Sequence, residues 1–474
     1  MAIITKYKDG TERIHFPSTD KFFCGTDEFD DTTTYSTITK IKASDPAAQS
    51  FFGASTAIGN GRIVVGCSYD SNGSSYSGAA YIFDLNGTQI AKIKAFDAAA
   101  SDYFGSHVAV GCNRIVVSSY GDDDNGSASG SIYIFDLDGN FLKKVASPTN
   151  ANNQTFGWSV AVGSGRIVVG AYGDVGDQGA ISGAAYIFDL NGNLIKKLKP
   201  DDLKKYDYFG YSVAVGSGRI VVGAYGVNDD PNTELIYDSN YEGRVYIFDL
   251  DGTQIAKISP PTQAPEGTIN LPILSFYNYY GGGFGWSVDV GCNRIIVGAP
   301  YVDLMEPDDN TVTKELNRGV AEIFDLDGNH LKTIEPFNRP SNKVYKYPTG
   351  ETTYENVDTR FGNKVAVADG RFYVCSQGIF GIFFSAFDGV LYTYDLEGNE
   401  LWNYDPNTER NNFGQSLAAG DGLVAVGSIY DGYVYDPTNY VYQQDYTTAY
   451  GAAYVFDGQP KQTHFLDFID EIKI

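Results

Sequence analysis

Short runs of β-branched and aromatic residues alternate with Gly-bearing turns along almost the whole chain, and the runs recur in sets of four. In the third set they read Phe156-Gly-Trp-Ser-Val-Ala-Val-Gly163, Gly165-Arg-Ile-Val-Val-Gly-Ala171, Gly183-Ala-Ala-Tyr-Ile-Phe-Asp-Leu190 and Asn193-Leu-Ile-Lys-Lys-Leu198. Runs this short, bounded by Gly, predict four β-strands, called a to d below. Each set opens on a Phe-Gly pair, at Phe52, Phe104, Phe156, Phe209, Phe284, Phe361 and Phe413. Four of the six intervals are 52 or 53 residues, while 209 to 284 is 75 and 284 to 361 is 77, so those two repeats carry insertions.

A single four-stranded meander cannot cover both of its faces. Stacking such sheets around an axis covers them, and four to eight blades close a ring. The expected fold is therefore all-β: a seven-bladed β-propeller of four-stranded antiparallel blades. Strand a alternates small and branched residues, as Ser159 and Ala161 against Val160 and Val162. The branched face of one blade then packs on the small face of its neighbour. Thr37-Ile-Thr-Lys-Ile-Lys-Ala43 matches strand d of the first full repeat, Thr88-Gln-Ile-Ala-Lys-Ile-Lys-Ala95. This N-terminal strand is expected to close the ring in the seventh blade; Thr463 to Phe468 is the rival. The organisation read from the repeats is an N-terminal arm (1–35), the propeller (36–458) and a C-terminal tail (459–474).

With the repeat laid out, the chain resembles FG-GAP repeat proteins. Phe-Gly opens strand a, Val297-Gly-Ala-Pro300 or a variant ends strand b, and Gly-x-x-Tyr-Ile-Phe forms strand c. The resemblance covers about residues 37–458. It implies the β-propeller of integrin α-subunits and of many bacterial and phage proteins, and the tight Gly turns resemble those of repeat proteins from marine phages and bacteria. Many such repeats carry an Asp-rich calcium loop between strands a and b. Here that link is Val162-Gly-Ser-Gly-Arg166, or Val-Gly-Cys-Asn-Arg at 110–114 and 290–294, without an Asp ladder. No calcium site is carried over, and no metal or other cofactor is expected.

Charge narrows the partners. The net charge of −25 argues against nucleic acid and against an anionic membrane surface. No apolar run reaches the length of a membrane span, and no leader-like stretch is evident at the N-terminus. The five cysteines, Cys24, Cys67, Cys112, Cys292 and Cys375, lack metal-ligand spacing and read as small core residues.

The two rims of the disc differ. The a–b and c–d links are tight turns such as Asp84-Leu-Asn-Gly87 and Asp136-Leu-Asp-Gly139. On this rim Arg62, Arg114, Arg166, Arg219, Arg294 and Arg371 begin strand b, while Asp84, Asp136, Asp189, Asp249, Asp325, Asp395 and Asp457 end strand c. A repeated structural Arg–Asp contact between these two slots is expected. Every long link falls on the other rim, where binding residues concentrate. Those links are rich in tyrosine: Tyr277, Tyr279, Tyr280, Tyr345, Tyr347, Tyr354, Tyr433, Tyr435, Tyr440, Tyr442 and Tyr446. Tyrosine offers large contact area at low entropic cost, so these are the candidate binding residues; packing of the links on each other is the competing role.

Catalytic groupings are not legible. The histidines are dispersed, and His107 takes the slot filled by Ser55, Ser159, Ser212 and Ser287 in other repeats. The acidic stretches Tyr69-Asp-Ser-Asn-Gly73 and Tyr120-Gly-Asp-Asp-Asp-Asn-Gly126 lack the distal Glu of a calcium loop and read as loop tips. The leading expectation is a non-enzymatic phage virion protein of the tail, fibre or capsid-attached class. It would be assembled in the host cytoplasm and contact other virion proteins, copies of itself, or a host-surface glycan or protein. A bacterial cell-surface adhesin or lectin, and a propeller-type carbohydrate-active enzyme, remain open beside it.

Overall fold

The computed structural model describes residues 39–457 apart from 46–49, 72–74, 150, 176–180, 228–241, 262–281, 303–318, 337–359, 378–388, 405, 407–411 and 432–449, together with four N-terminal strands. The chain divides into two compact units, one of residues 39–458 and the other of residues 1–38 and 459–474. In the smaller unit Ile3–Lys6, Glu12–His15, Lys21–Cys24 and Asp27–Asp30 form one antiparallel sheet in chain order. The repeat pattern, which reads these residues as an arm, carries no signal for it.

The larger unit is a seven-bladed propeller, with no helix among the described residues. Each blade is a four-stranded antiparallel meander. In blade 3 the strands are Ser159–Gly163, Arg166–Ala171, Ala184–Phe188 and Leu194–Leu198. In blade 7, strands a to c are Phe413–Gly420, Leu423–Ser428 and Ala452–Asp457, and the fourth is Thr39–Ile41 from the start of the unit. Ile41 pairs with Ala453, Lys40 with Tyr454 and Thr39 with Val455. The N-terminal strand thus closes the ring; its rival lies outside the described residues. The seven a strands touch one another in a closed circle, which makes them the innermost layer around the axis.

The Phe-Gly pair explains itself in this geometry. Phe104 is fully buried and meets Tyr133 and Phe135 of its own strand c edge-on, with ring centroids 5.2 and 6.1 Å apart. Gly105 has φ +87°, and a Cβ there would lie 2.1 Å from the carbonyl oxygen of Ala79 in the preceding blade. No other residue tolerates both the backbone conformation and the approach. Between blades 1 and 2 the core holds Ala57, Val64, Ala80 and Ile82 from one side and Val108, Val110, Ile115 and Val117 from the other. The small face and the branched face meet as the alternation in strand a requires.

Candidate functional site

The Arg–Asp contact on the tight rim takes a different form from the one expected. Asp84, Asp136, Asp189, Asp249, Asp325 and Asp395 spend their carboxylates on their own turns. Asp136 Oδ1, for example, accepts from the backbone N–H groups of Asp138 (3.0 Å) and Asn140 (2.9 Å). This is an Asx turn, and the Asn140 amide with those backbone N–H groups holds the Asp136 carboxyl below its usual range. Arg62, Arg114, Arg166 and Arg219 instead reach the turn of the next blade, whereas Arg294 donates to Asn293 O of its own link. Arg62 Nε donates to Leu137 O at 2.9 Å and its other arm meets Asp138 at 3.1 Å. Arg166 repeats this on Leu250 and Asp251, and Arg219 on Leu326 and Asp327. Arg114 reaches Leu190 O, where the turn carries Asn191 in place of the acid. The acidic partners are largely exposed, so each ion pair contributes about 1 kcal/mol or less.

On the opposite rim, the tyrosines named from the sequence (277, 279, 280, 345, 347, 354, 433, 435, 440, 442 and 446) lie outside the described residues, as do most of the long links that carry them. The described residues of this rim hold two features that composition did not single out. One is a repeated Tyr–Asp–Lys network. In blade 2, Tyr133 Oη donates to Asp97 (2.8 Å) and Asp122 (3.0 Å), and the Lys144 ammonium lies 5.2 Å from the Tyr133 ring centre. Lys144 also meets Asp97, Asp122 and Asp124 at 2.6–2.7 Å. Burial works to neutralise Asp97, but the bonds from Lys144 and Tyr133 outweigh it and hold the carboxyl low. These three acids converge closely enough to hold a cation. The ammonium already supplies the positive charge at their centre.

The same network recurs as Tyr81, Asp45, Asp70 and Lys92 in blade 1, and as Tyr186, Asp174 and Lys197 in blade 3. Tyr246, Asp202 and Lys257 form it in blade 4, and Tyr454, Asp431 and Lys40 in blade 7. Blade 5 replaces it with Glu322, which accepts from Thr333 and pairs with His330. Because the acids sit on the b–c and d–a links, the network pins the roots of that rim's links to the sheet. Its sequence signal is the recurrence of Tyr in strand c, Asp shortly after strand b and Lys in strand d.

The second feature is an arc of half-buried aromatic rings at the inner edge of this rim. It runs from Tyr430 through Phe51, Tyr69, Tyr103 and Tyr120 to Trp158, with neighbouring ring centres 4.3–5.7 Å apart. It continues through Tyr211 (5.7 Å), Trp286 (4.8 Å) and Tyr301 (5.2 Å), where the Arg360 guanidinium lies over the last ring. These residues flank the Phe-Gly pairs or follow strand b, so they cluster around the mouth of the central channel. Burial among the other rings pushes the Tyr120 hydroxyl up to about 12. In blades 6 and 7 the arc gives way to amides: Gln377 donates to Asn412 and Gln415, and Asn363 accepts from Trp286. The arrangement puts π-faces over most of the circle and amides over the rest.

A search of curated proteins found no match. The FG-GAP repeat family matches four times, at residues 35–83, 88–135, 143–188 and 193–248. These segments run from the closing strand through blade 4, and blades 5 to 7 repeat the same four-strand meander. The protein is a seven-bladed β-propeller, and its repeats across residues 35–248 match the FG-GAP repeat family.

Proposed function

We propose that this protein is a non-catalytic interaction module of a phage particle, in the tail, fibre or capsid-attached class, which serves assembly or host-surface recognition. An FG-GAP propeller supports a protein-interaction role in general, although a fold alone does not name a partner. The observation that carries the reading is the perimeter. Strand d is the outermost strand, and one register position in it exposes a large aliphatic side chain in six blades: Ile90, Leu142, Ile195, Ile255, Leu331 and Leu401, each between 37% and 50% exposed. In blade 2 Phe96 (69% exposed) and Phe141 extend this surface. Isolated exposed aliphatics are ordinary, but the same one repeated around a disc offers equivalent apolar contacts to neighbours on several sides.

Mass spectrometry of particles purified from cells that carry the gene tests this reading. The chain is expected among the particle proteins, and the combined variant Ile90→Glu, Leu142→Glu and Ile195→Glu is expected to fold yet to be depleted from particles. Absence of the wild-type chain from purified particles would sink the virion reading. The aromatic arc favours a second reading, a glycan-binding lectin displayed at a cell surface. Binding to a glycan array without release of sugar would support it over a carbohydrate-active enzyme.

A further inference from the structure

A departure from sevenfold regularity lies at one slot, three residues after the Phe of each Phe-Gly pair, where strand a enters the blade. Five blades place a serine there, and each serine hydroxyl donates to a glycine carbonyl of the next blade: Ser55 to Gly105, Ser159 to Gly210, Ser212 to Gly285, Ser287 to Gly362 and Ser416 to Gly53, at 2.7–3.0 Å. In each of those blades the residue paired with it on strand b is a glycine. At Gly170 a Cβ would lie 1.9 Å from the Gly210 oxygen and 2.2 Å from Ser159 Oγ. The other two blades change both members together. Blade 2 has His107 beside Ser118, and blade 6 has Lys364 paired with Cys375. A side chain on strand b excludes the serine latch, and the strand a position is released for another use.

His107 and Lys364 belong to blades that are not neighbours, and each stands at the start of an a strand of the innermost circle. Their shared slot therefore lies on the layer nearest the axis. Both lie deep in the protein and keep part of their surface open, as groups lining a narrow passage do. His107 Nδ1 is buried without a hydrogen-bond partner, and among the described residues the Lys364 ammonium has no hydrogen bond or ion pair. Burial pulls the Lys364 ammonium below its usual range, and it pulls His107, with a smaller push from Lys364, down to about 3. An uncompensated ammonium in this position is costly unless an anion joins it.

We propose that the channel mouth binds a short acidic oligosaccharide: its carboxylate enters the channel to meet Lys364 and a donating N–H of His107, while its sugar rings lie against the aromatic arc and the amides of blades 6 and 7. The apolar face of a sugar ring suits the π-faces of Trp158, Tyr211 and Trp286, and amides such as Gln415 suit its hydroxyls. A chain of net charge −25 repels a long polyanion. A ligand with one carboxylate aimed at the axis avoids most of that repulsion. The inference deepens the recognition reading by naming a ligand class, and it stands or falls independently of where the protein is displayed.

Isothermal titration of the full chain with sialyllactose and with lactose tests it. Sialyllactose is expected to bind at least about tenfold more tightly than lactose, a difference of about 1.4 kcal/mol. The double variant Lys364→Ser with Cys375→Gly installs the latch pair of the other five blades, so folding is expected to persist and the preference to vanish. Lys364→Met serves as a second variant if the first fails to fold. Equal affinities, no binding of either sugar, or a preference that survives both variants would overturn the proposal. So would an acidic peptide that binds through Lys364 while sialyllactose does not. Particle mass spectrometry reads the virion assignment separately from all of these outcomes.

Discussion

Ser159 Oγ donates to the carbonyl oxygen of Gly210 at 2.9 Å, a bond that crosses from blade 3 to blade 4. It is one of five such latches in the inner circle, and it exists because Gly170 leaves room for it. Gly170→Ser is therefore expected to destabilise the propeller by about 1–3 kcal/mol, through overpacking against the Gly210 carbonyl and the Ser159 hydroxyl. Adding Ser159→His, which copies the His107–Ser118 pair of blade 2, is expected to recover at least about 1 kcal/mol of the loss. Denaturant melts of the four proteins in the cycle give the coupling directly. Additive effects would mean that the two positions are not linked as the geometry implies.

Asp289 occupies a strand a slot that other blades fill with alanine, such as Ala161 and Ala214. Its carboxylate accepts from the backbone N–H of Val290 (2.8 Å) and of Val367 in the next blade (2.7 Å). Burial outweighs these bonds and pushes its pKa up to about 6. A carboxyl with a raised pKa binds more protons when folded than when unfolded. Its contribution is fully present below the unfolded value and is lost as pH rises from about 4 to about 6. Asp289→Ala is thus expected to be more favourable, relative to wild type, at pH 7.5 than at pH 4.5, by about 1–2 kcal/mol. Thermal melts at the two pH values check the sign.

Lys40 reaches from the closing strand to Asp431, which is nearly inaccessible and also accepts from Tyr454 at 2.9 Å. Removing the ammonium strands a buried carboxylate, so Lys40→Ala is expected to cost about 1–3 kcal/mol, with Lys42 limiting the loss from 3.4 Å. The loss should shrink in the Lys40→Ala, Asp431→Asn double variant. Chemical denaturation of both variants makes the comparison.

Much of this fold is legible in the sequence because every blade repeats the same steric demands: Phe inside, Gly where a backbone crosses, small residues where sheets nearly touch. The acid that meets Arg62, Arg166 and Arg219 stands two residues beyond the end of strand c. The Asp at the end of strand c looks available in the sequence, but its turn consumes it. The candidate site was less legible. Link length points to the tyrosines of the long links, whereas the arc is assembled from single residues that flank Phe-Gly pairs or follow strand b. His107 stands out as a departure from serine, but its meaning needs the matching departures at Ser118, Lys364 and Cys375.

Chelation is expected to leave the propeller intact. The a–b links are two-residue turns such as Asn60-Gly61, and the converging acids near Lys144 already hold its ammonium. The melting temperature with and without EDTA should agree within about 2 °C, which is a small free-energy difference for a domain of this size. A fall of tens of degrees would reveal a structural calcium ion.

The closing strand carries a consequence for biosynthesis. Thr39–Ile41 leaves the ribosome before any full blade exists, and its partner, Ala452–Asp457, emerges after all six others are made. Throughout translation the nascent chain is an open arc whose first strand has no sheet to join. Blade-by-blade growth can proceed, since each full blade brings its own four strands and docks on the one before. The final step is different in kind: it joins the two most distant parts of the repeat array and turns a row of sheets into a ring. Any partner that must recognise the complete circle, rather than a single blade, can therefore engage this protein only after that late event.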